Sequence, residues 1–154
     1  MPYTTGPPID LSWIPTQPTI DVDDELTLRP FHLDDATTIT RAFDDPDIQH
    51  WHAFRVDEPD EAVAWIEATH AKWQTRQSIT WAITDRTDML GRCALHLHLE
   101  HRFAEVAYWL LPEARGRGVA TRVAIAATEW AHEVGGFHRV LLQHSTQNLS
   151  LIHI

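Results

Sequence analysis

The spacing of hydrophobic and polar positions changes period several times after residue 26, and each change marks an element. Leu26 and Leu28 point one way and Thr27 and Arg29 the other, so 26–29 is a short strand that Pro30 ends. Leu33 and Asp34 read as an apolar residue and its following N-cap. The helix after them reaches about Phe43, buries Ala36, Ile39 and Phe43, and stops at Asp44-Asp45-Pro46. Residues 48–54 carry His50, Trp51, His52 and Phe54 with poor periodicity, which predicts a loop or irregular helix on the surface or over a cleft. Pro59 and Asp60 open a clearer helix, where acidic residues suit the positive end of the helix dipole. Ala62, Trp65, Ile66, Thr69 and Trp73 then recur at helical spacing to about Gln74.

The period next falls to two. Ile79, Trp81 and Ile83 alternate with Ser78, Thr80, Ala82 and Thr84; residues 85–88 make a turn, and 89–99 form a second long strand of a hairpin. His101-Arg102-Phe103 makes another turn before a strand over 105–111. That strand puts Val106, Tyr108 and Leu110 on one face and Ala107, Trp109 and Leu111 on the other, as a central strand covered on two sides would. It runs into Pro112-Glu113-Ala114-Arg115-Gly116-Arg117-Gly118-Val119-Ala120, and a helix continues to about Val134, where Gly135-Gly136 caps it. Ala120, Val123, Ala124, Ala127, Ala131 and Val134 form the packed stripe of this helix, and a final strand follows at 139–143. The order predicts an α/β fold: a mixed, mostly antiparallel twisted sheet flanked by helices, with the last helix joining parallel neighbours.

Residues 1–25 are a proline-rich arm ahead of a single domain over 26–154. Pro2, Pro7, Pro8, Pro15 and Pro18 keep any helix or central strand from running through it. Leu11, Trp13 and Ile14 are expected to pin part of the arm to the domain. The 154 residues suffice for one core. A net charge of -10 argues against non-specific nucleic-acid binding. A single cysteine, Cys93, excludes a disulfide framework or a cysteine-rich metal site. Without an 18-residue apolar run or a signal segment, the expectation is no membrane span and a cytoplasmic location.

The chemistry concentrates at the glycine loop. A helix start leaves backbone N–H groups without partners, which suits a phosphate. Gly116 and Gly118 keep side chains away from those amides, and Arg115, Arg117 and Arg122 add a local positive field to an acidic chain. The same residues also fit a plain tight turn with solvent-facing arginines. The loop lacks the Gly-Lys-Ser/Thr of a P-loop, and the only lysine is Lys72.

Residues 108–121, Tyr-Trp-Leu-Leu-Pro-Glu-Ala-Arg-Gly-Arg-Gly-Val-Ala-Thr, resemble the acetyl-coenzyme A loop of the GNAT N-acetyltransferase superfamily. Its Gln/Arg-x-x-Gly-x-Gly/Ala motif is matched by Arg115, Gly118 and Ala120. The Glu-Val-Ala-Tyr-Trp-Leu lead-in at 105–110, Leu-Arg-Pro at 28–30 and Arg-Val-Leu-Leu-Gln at 139–143 resemble the RimJ/RimL-like branch, which acetylates ribosomal-protein N-termini.

The resemblance implies transfer of an acetyl group from acetyl-coenzyme A to a primary amine by direct attack in a ternary complex. It implies that the amides of Arg117, Gly118, Val119 and Ala120 hold a diphosphate with Arg115 close by. The strand end at Trp109, Leu110 and Leu111 then parts from strand 139–143, commonly at a β-bulge, to admit the pantetheine arm. Asn148 matches the Asn that contacts that arm. Glu105 matches an acidic residue proposed as base, and it also reads as an ordinary strand-end carboxylate. The usual Ser three residues after the Asn is replaced by Leu151; Ser150, one place early, is the candidate acid, with Ser145 or a solvent proton as alternatives.

His50, Trp51 and His52 fall where the family lines its acceptor cleft, Trp51 and Trp109 are expected near the active cleft, and an acidic protein steers cationic amines. His96 and His98 alternate on one strand face and read as a polar face rather than a metal site, so no metal is expected. His70 and His132 read as surface residues, and Trp65, Trp73 and Trp81 as core. The family normally continues with a further helix and two strands, so the final strands are expected to be missing here. The uncovered edge then invites a homodimer. The alternative is a catalytically weak GNAT-like binding or interaction protein.

Overall fold

The computed structural model describes residues 6–51 and 56–142. Its scaffold is one six-stranded sheet in the order β1-β2-β3-β4-β5-β6, comprising β1 Ile20–Asp21, β2 Thr27–Pro30, β3 Ser78–Thr84, β4 Met89–His98, β5 Phe103–Leu110 and β6 Arg139–Leu142. All neighbours are antiparallel except β5 and β6, which run parallel. The helices are α1 Ala36–Ala42, α2 Pro46–Trp51, α3 Pro59–Gln74 and α4 Val119–Glu133. Among the described residues no helix is long and apolar enough to cross a membrane.

Alternation along β3, β4 and β5 sends side chains into two cores. Leu95, Val106, Tyr108 and Leu110 pack on one side with Val123, Ala127, Trp130 and Ala131 of α4. Ala82, Trp109 and Leu111 pack on the other side with Ile39 of α1 and Ile66 of α3. β5 is therefore the doubly covered central strand that its two apolar faces imply. Tyr108 is buried on the α4 side, and burial pushes its hydroxyl up to about 12.

Several expectations need revision. Val134 is 43% exposed because α4 has already ended, and Trp130 takes its place in the stripe, edge-on to Trp81 at 6.2 Å. In the arm Leu11 is buried and Ile14 packs on the core, but Trp13 is 64% exposed and pins nothing. The arm also supplies β1, whose two residues pair with Leu28 and Thr27 at the sheet edge, where proline-bounded strands are tolerated. The segment after α1 is in part a helix, α2, which Pro46 opens. His70 is partly buried, its ring Nε2 2.7 Å from the Phe31 carbonyl, rather than a surface residue. Trp65 is only partly buried and meets Phe31 edge-on at 5.1 Å. β6 is the last strand among the described residues, and nothing there indicates that strands have been lost.

Two details hold the sheet in place and can be tested. Gly91 lies where β4 meets the end of β5; a Cβ there would sit 2.2 Å from the Trp109 carbonyl and 3.0 Å from the Leu110 Cα. Backbone cannot yield as a side chain does, so Gly91→Ala is expected to cost about 2–3 kcal/mol, read as a lower urea midpoint at unchanged slope. Asp35, at the entry to α1, accepts two bonds from Arg29 at 2.8 and 2.9 Å and one from the His32 N–H at 2.7 Å. Burial alone would raise this carboxyl, but the Arg29 and His32 bonds outweigh it and hold it below its ordinary value. The charged form is thus favoured by folding, and its contribution is present above the unfolded value and lost as pH falls through the folded one. Asp35→Asn is expected to cost about 2 kcal/mol at neutral pH. Its deficit relative to the parent should shrink as both are melted at successively lower pH.

Candidate active site

The polypeptide leaves β5 at Leu110, makes a 3-10 turn over Pro112–Ala114, and enters α4 through Arg115–Gly118. Gly116 and Gly118 have φ of 73° and 74°, in the left-handed region. A Cβ at either glycine meets nothing within 4 Å, so glycine is needed here for backbone freedom and not for room. Two left-handed residues in alternation curl the chain into a concavity of N–H groups. Among the described residues, no acceptor takes the N–H of Gly116, Arg117, Gly118, Val119, Ala120 or Thr121. The helix therefore presents a run of free donors at its positive end.

The arginines behave differently from the sequence-based expectation. The Arg115 guanidinium donates to the Leu110 carbonyl at 2.9 Å and to Asp45 at 2.6 Å, with Asp47 at 3.6 Å. It clamps the end of β5 to the corner between α1 and α2. Arg122 pairs with Asp23 at 2.9 Å and Glu25 at 3.2 Å, and Arg117 lies 3.7 Å from Glu25. The local positive field is thus largely balanced by four carboxylates, which sequence reasoning did not connect to the loop. Asp45 stands in the stretch that stops α1, and Asp23 and Glu25 precede the start of β2, all far from the loop in sequence. The anion-binding capacity rests on the amides, with Arg117 the most loosely held cation.

β5 pairs with β4 in continuous register from Phe103↔His98 to Leu110↔Gly91, so the ladder contains no bulge at the expected opening. On its other edge β5 pairs with β6 from Phe103↔Arg139 to Val106↔Leu142. Among the described residues, Ala107–Leu110 has no strand on the β6 side. The expected parting of the strands concerns residues from 143 onward, outside the described ones. Asn148, Ser145, Ser150 and His52 also lie outside them. Trp51 ends α2, and Trp109 is a buried core residue, edge-on to Phe43 at 6.1 Å.

Glu105 occupies the first half of β5, directly opposite His96, on the face toward α1 and α3. Its Oε1 lies 3.5 Å from Nε2 of His98, whose ring stacks on Phe103 at 4.2 Å. Burial depresses the His96 imidazole, Arg92 and Lys72 depress it further, and Glu105 acts in the opposite direction. Glu105 is thus flanked by two imidazoles, one of them held toward its neutral form. Among the described residues no three His, Cys, Asp or Glu side chains could together hold a metal ion.

A strand that passes through a left-handed glycine turn into a helix with free amides gives this α/β fold a cluster of backbone donors at the end of its sheet, of the kind that suits an anion. The chain belongs to the acetyltransferase (GNAT) domain family, whose profile matches residues 25–154. It is 26% identical over 121 residues to the uncharacterized N-acetyltransferase YoaA of Bacillus subtilis strain 168, covering 76% of this chain and 68% of that one. Its fold is also that of the self-immunity acetyltransferase MccE, solved with acetyl-CoA and AMP: TM-score 0.79, 20% identity, 86% of this chain and 76% of that one. The ribosomal L7/L12 α-N-protein acetyltransferase RimL, solved with coenzyme A, gives a TM-score of 0.81 at 16% identity over 88% and 80% of the two chains. RimJ of Mycobacterium smegmatis, solved with CoA-disulfide, gives 0.74 at 17% identity over 89% and 72%.

Proposed function

We propose that the chain transfers an acetyl group from acetyl-coenzyme A to a primary amine by direct attack in a ternary complex. The observation that carries this reading is the run of free N–H groups from Gly116 to Thr121 on a left-handed glycine turn, at the end of the strand that bears Glu105. The amides of Arg117, Gly118, Val119 and Ala120 fit a diphosphate, and Arg117 can turn from Glu25 onto it. Arg115 acts from behind, fixing the strand end at Trp109, Leu110 and Leu111 against Asp45. Bound there, the thioester supplies an activated acyl group.

The remaining work is positioning and proton transfer. Glu105 takes the proton of the attacking amine, directly or through one water, and His98 beside it carries the proton toward solvent. Backbone donors of β5 stabilise charge that develops on oxygen. Asn148 steadies the pantetheine arm, and Ser150 returns a proton to the departing thiolate. Trp51 and His52 line the acceptor side. The motif likeness to the RimJ/RimL-like branch favours a peptide N-terminus as the acceptor.

Incubation with acetyl-CoA and a panel of peptide N-termini, polyamines and aminoglycosides, read by mass spectrometry, tests the reading. A product 42 Da heavier on at least one amine class is expected, about the mass an acetyl group adds in place of a proton. Cofactor binding with no product on any amine would contradict it and leave a binding protein.

A further inference from the structure

Arg92 sits in β4 between Ala82 of β3 and Trp109 of β5, on the same sheet face as Glu105. Its Nε is sealed from solvent and has no hydrogen-bond partner. Among the described residues its terminal nitrogens have no hydrogen-bond or carboxylate partner either, yet they are not sealed from solvent. Its charged end faces the Trp65 ring of α3, whose centroid lies 5.9 Å from the guanidinium carbon. Arg29, Arg41, Arg115, Arg117 and Arg122, in contrast, each face a carboxylate.

Arg92 is half-buried: its Nε is sealed without a partner while its terminal nitrogens stay accessible, so part of the charge is taken out of water with no anion beside it, which costs free energy that a bound anion would return. Between Arg92 and Glu105 that face carries the methyl groups of Ala94 and Ala107, with His96 beside Glu105. The two charged residues stand four positions apart along paired strands, about 13 Å. Their influences meet at His96, which Arg92 pushes down and Glu105 pushes up. Nothing bulky from either strand separates them.

The geometry points to Arg92 as the anchor for an anionic group on the acceptor, so that the substrate is an amine that also carries a carboxylate or a phosphate. The planar guanidinium matches either anion through two parallel bonds. With the anion on Arg92, the amine end lies along Ala94 and Ala107 toward Glu105. The inference rests on the acetyl-transfer reading for the amine end only; the anion site stands on the unpartnered guanidinium.

Two measurements test it separately from the catalytic reading. In the first, the Arg92 Nε–H signal in a nitrogen-15 spectrum, identified by its loss in Arg92→Lys, is followed with glycylglycine, triglycine and their C-terminal amides. The free acids are expected to shift it and the amides to leave it in place; equal response, or none, overturns the anion site whether or not the protein turns over. A shift without acetylation of any amine overturns the acetyl-transfer reading and leaves the anion site standing. In the second, kcat/KM is compared for each acid and its amide, and for O-phosphoethanolamine against ethanolamine. The parent protein should favour the anionic member about tenfold, mainly through KM, as loss of a charge-assisted bond predicts. The larger of the two ratios tells carboxylate from phosphate. Arg92→Gln, checked for folding by thermal melt, should bring the ratio near one. A parent ratio near one, or an unchanged ratio in Arg92→Gln, contradicts the proposal.

Discussion

Gly118→Val is expected to weaken acetyl-coenzyme A binding by more than a hundredfold while leaving a folded protein. Gly118 caps α4 at φ 74°, a conformation that valine enters only with strain. A Cβ at this point touches nothing within 4 Å, so the core has no reason to rearrange. The chain relieves the strain by rotating the loop, and the rotation swings the amides of Gly118, Val119 and Ala120 out of convergence. Loss of two charge-assisted bonds, each worth about 1.5–3 kcal/mol, accounts for the hundredfold or more. Titration calorimetry of parent and variant gives the ratio, and a thermal melt shows whether the variant has folded. A folded Gly118→Val protein with parent affinity would place the diphosphate elsewhere.

The second large effect is on turnover. Glu105→Gln keeps the shape of the side chain and removes its basicity. It is expected to lower kcat by about 10²–10⁴-fold, with the dissociation constant for acetyl-coenzyme A altered less than about twofold. An ordinary strand carboxylate, partly exposed and, among the described residues, paired with His98, would give no such loss of kcat. A neutral result would therefore assign the proton to another group and leave the cofactor site untouched.

Elements whose burial repeats along the chain could be read from sequence; contacts set by distant partners could not. The double-faced apolar strand through Val106 and Trp109, and the stripe of Val123, Ala127 and Ala131, encode β5 and α4 locally. Trp130 belongs to that stripe by spacing, whereas Val134 falls past the helix end. β1 is two residues long, too short for a period to show among prolines. The glycine loop was legible because its left-handed backbone conformation is one that glycine reports directly. Arg115 was legible as a position but not as a clamp, since Asp45 is 70 residues away. Gly91 matters only because of the register that brings Trp109 beside it. Arg92 is informative because it has no carboxylate partner among the described residues, and no pattern along the chain reports an absence.

The central claim is that the free amides entering α4 hold the diphosphate of acetyl-coenzyme A. Calorimetric titration of the unaltered protein with acetyl-coenzyme A, and then with acetyl-pantetheine, which lacks the diphosphate, tests it most directly. The account predicts saturable binding of one equivalent of acetyl-coenzyme A, with acetyl-pantetheine at least about a hundredfold weaker, as the loss of several amide bonds requires. Equal affinity for the two compounds, or no heat at millimolar acetyl-coenzyme A, would contradict it.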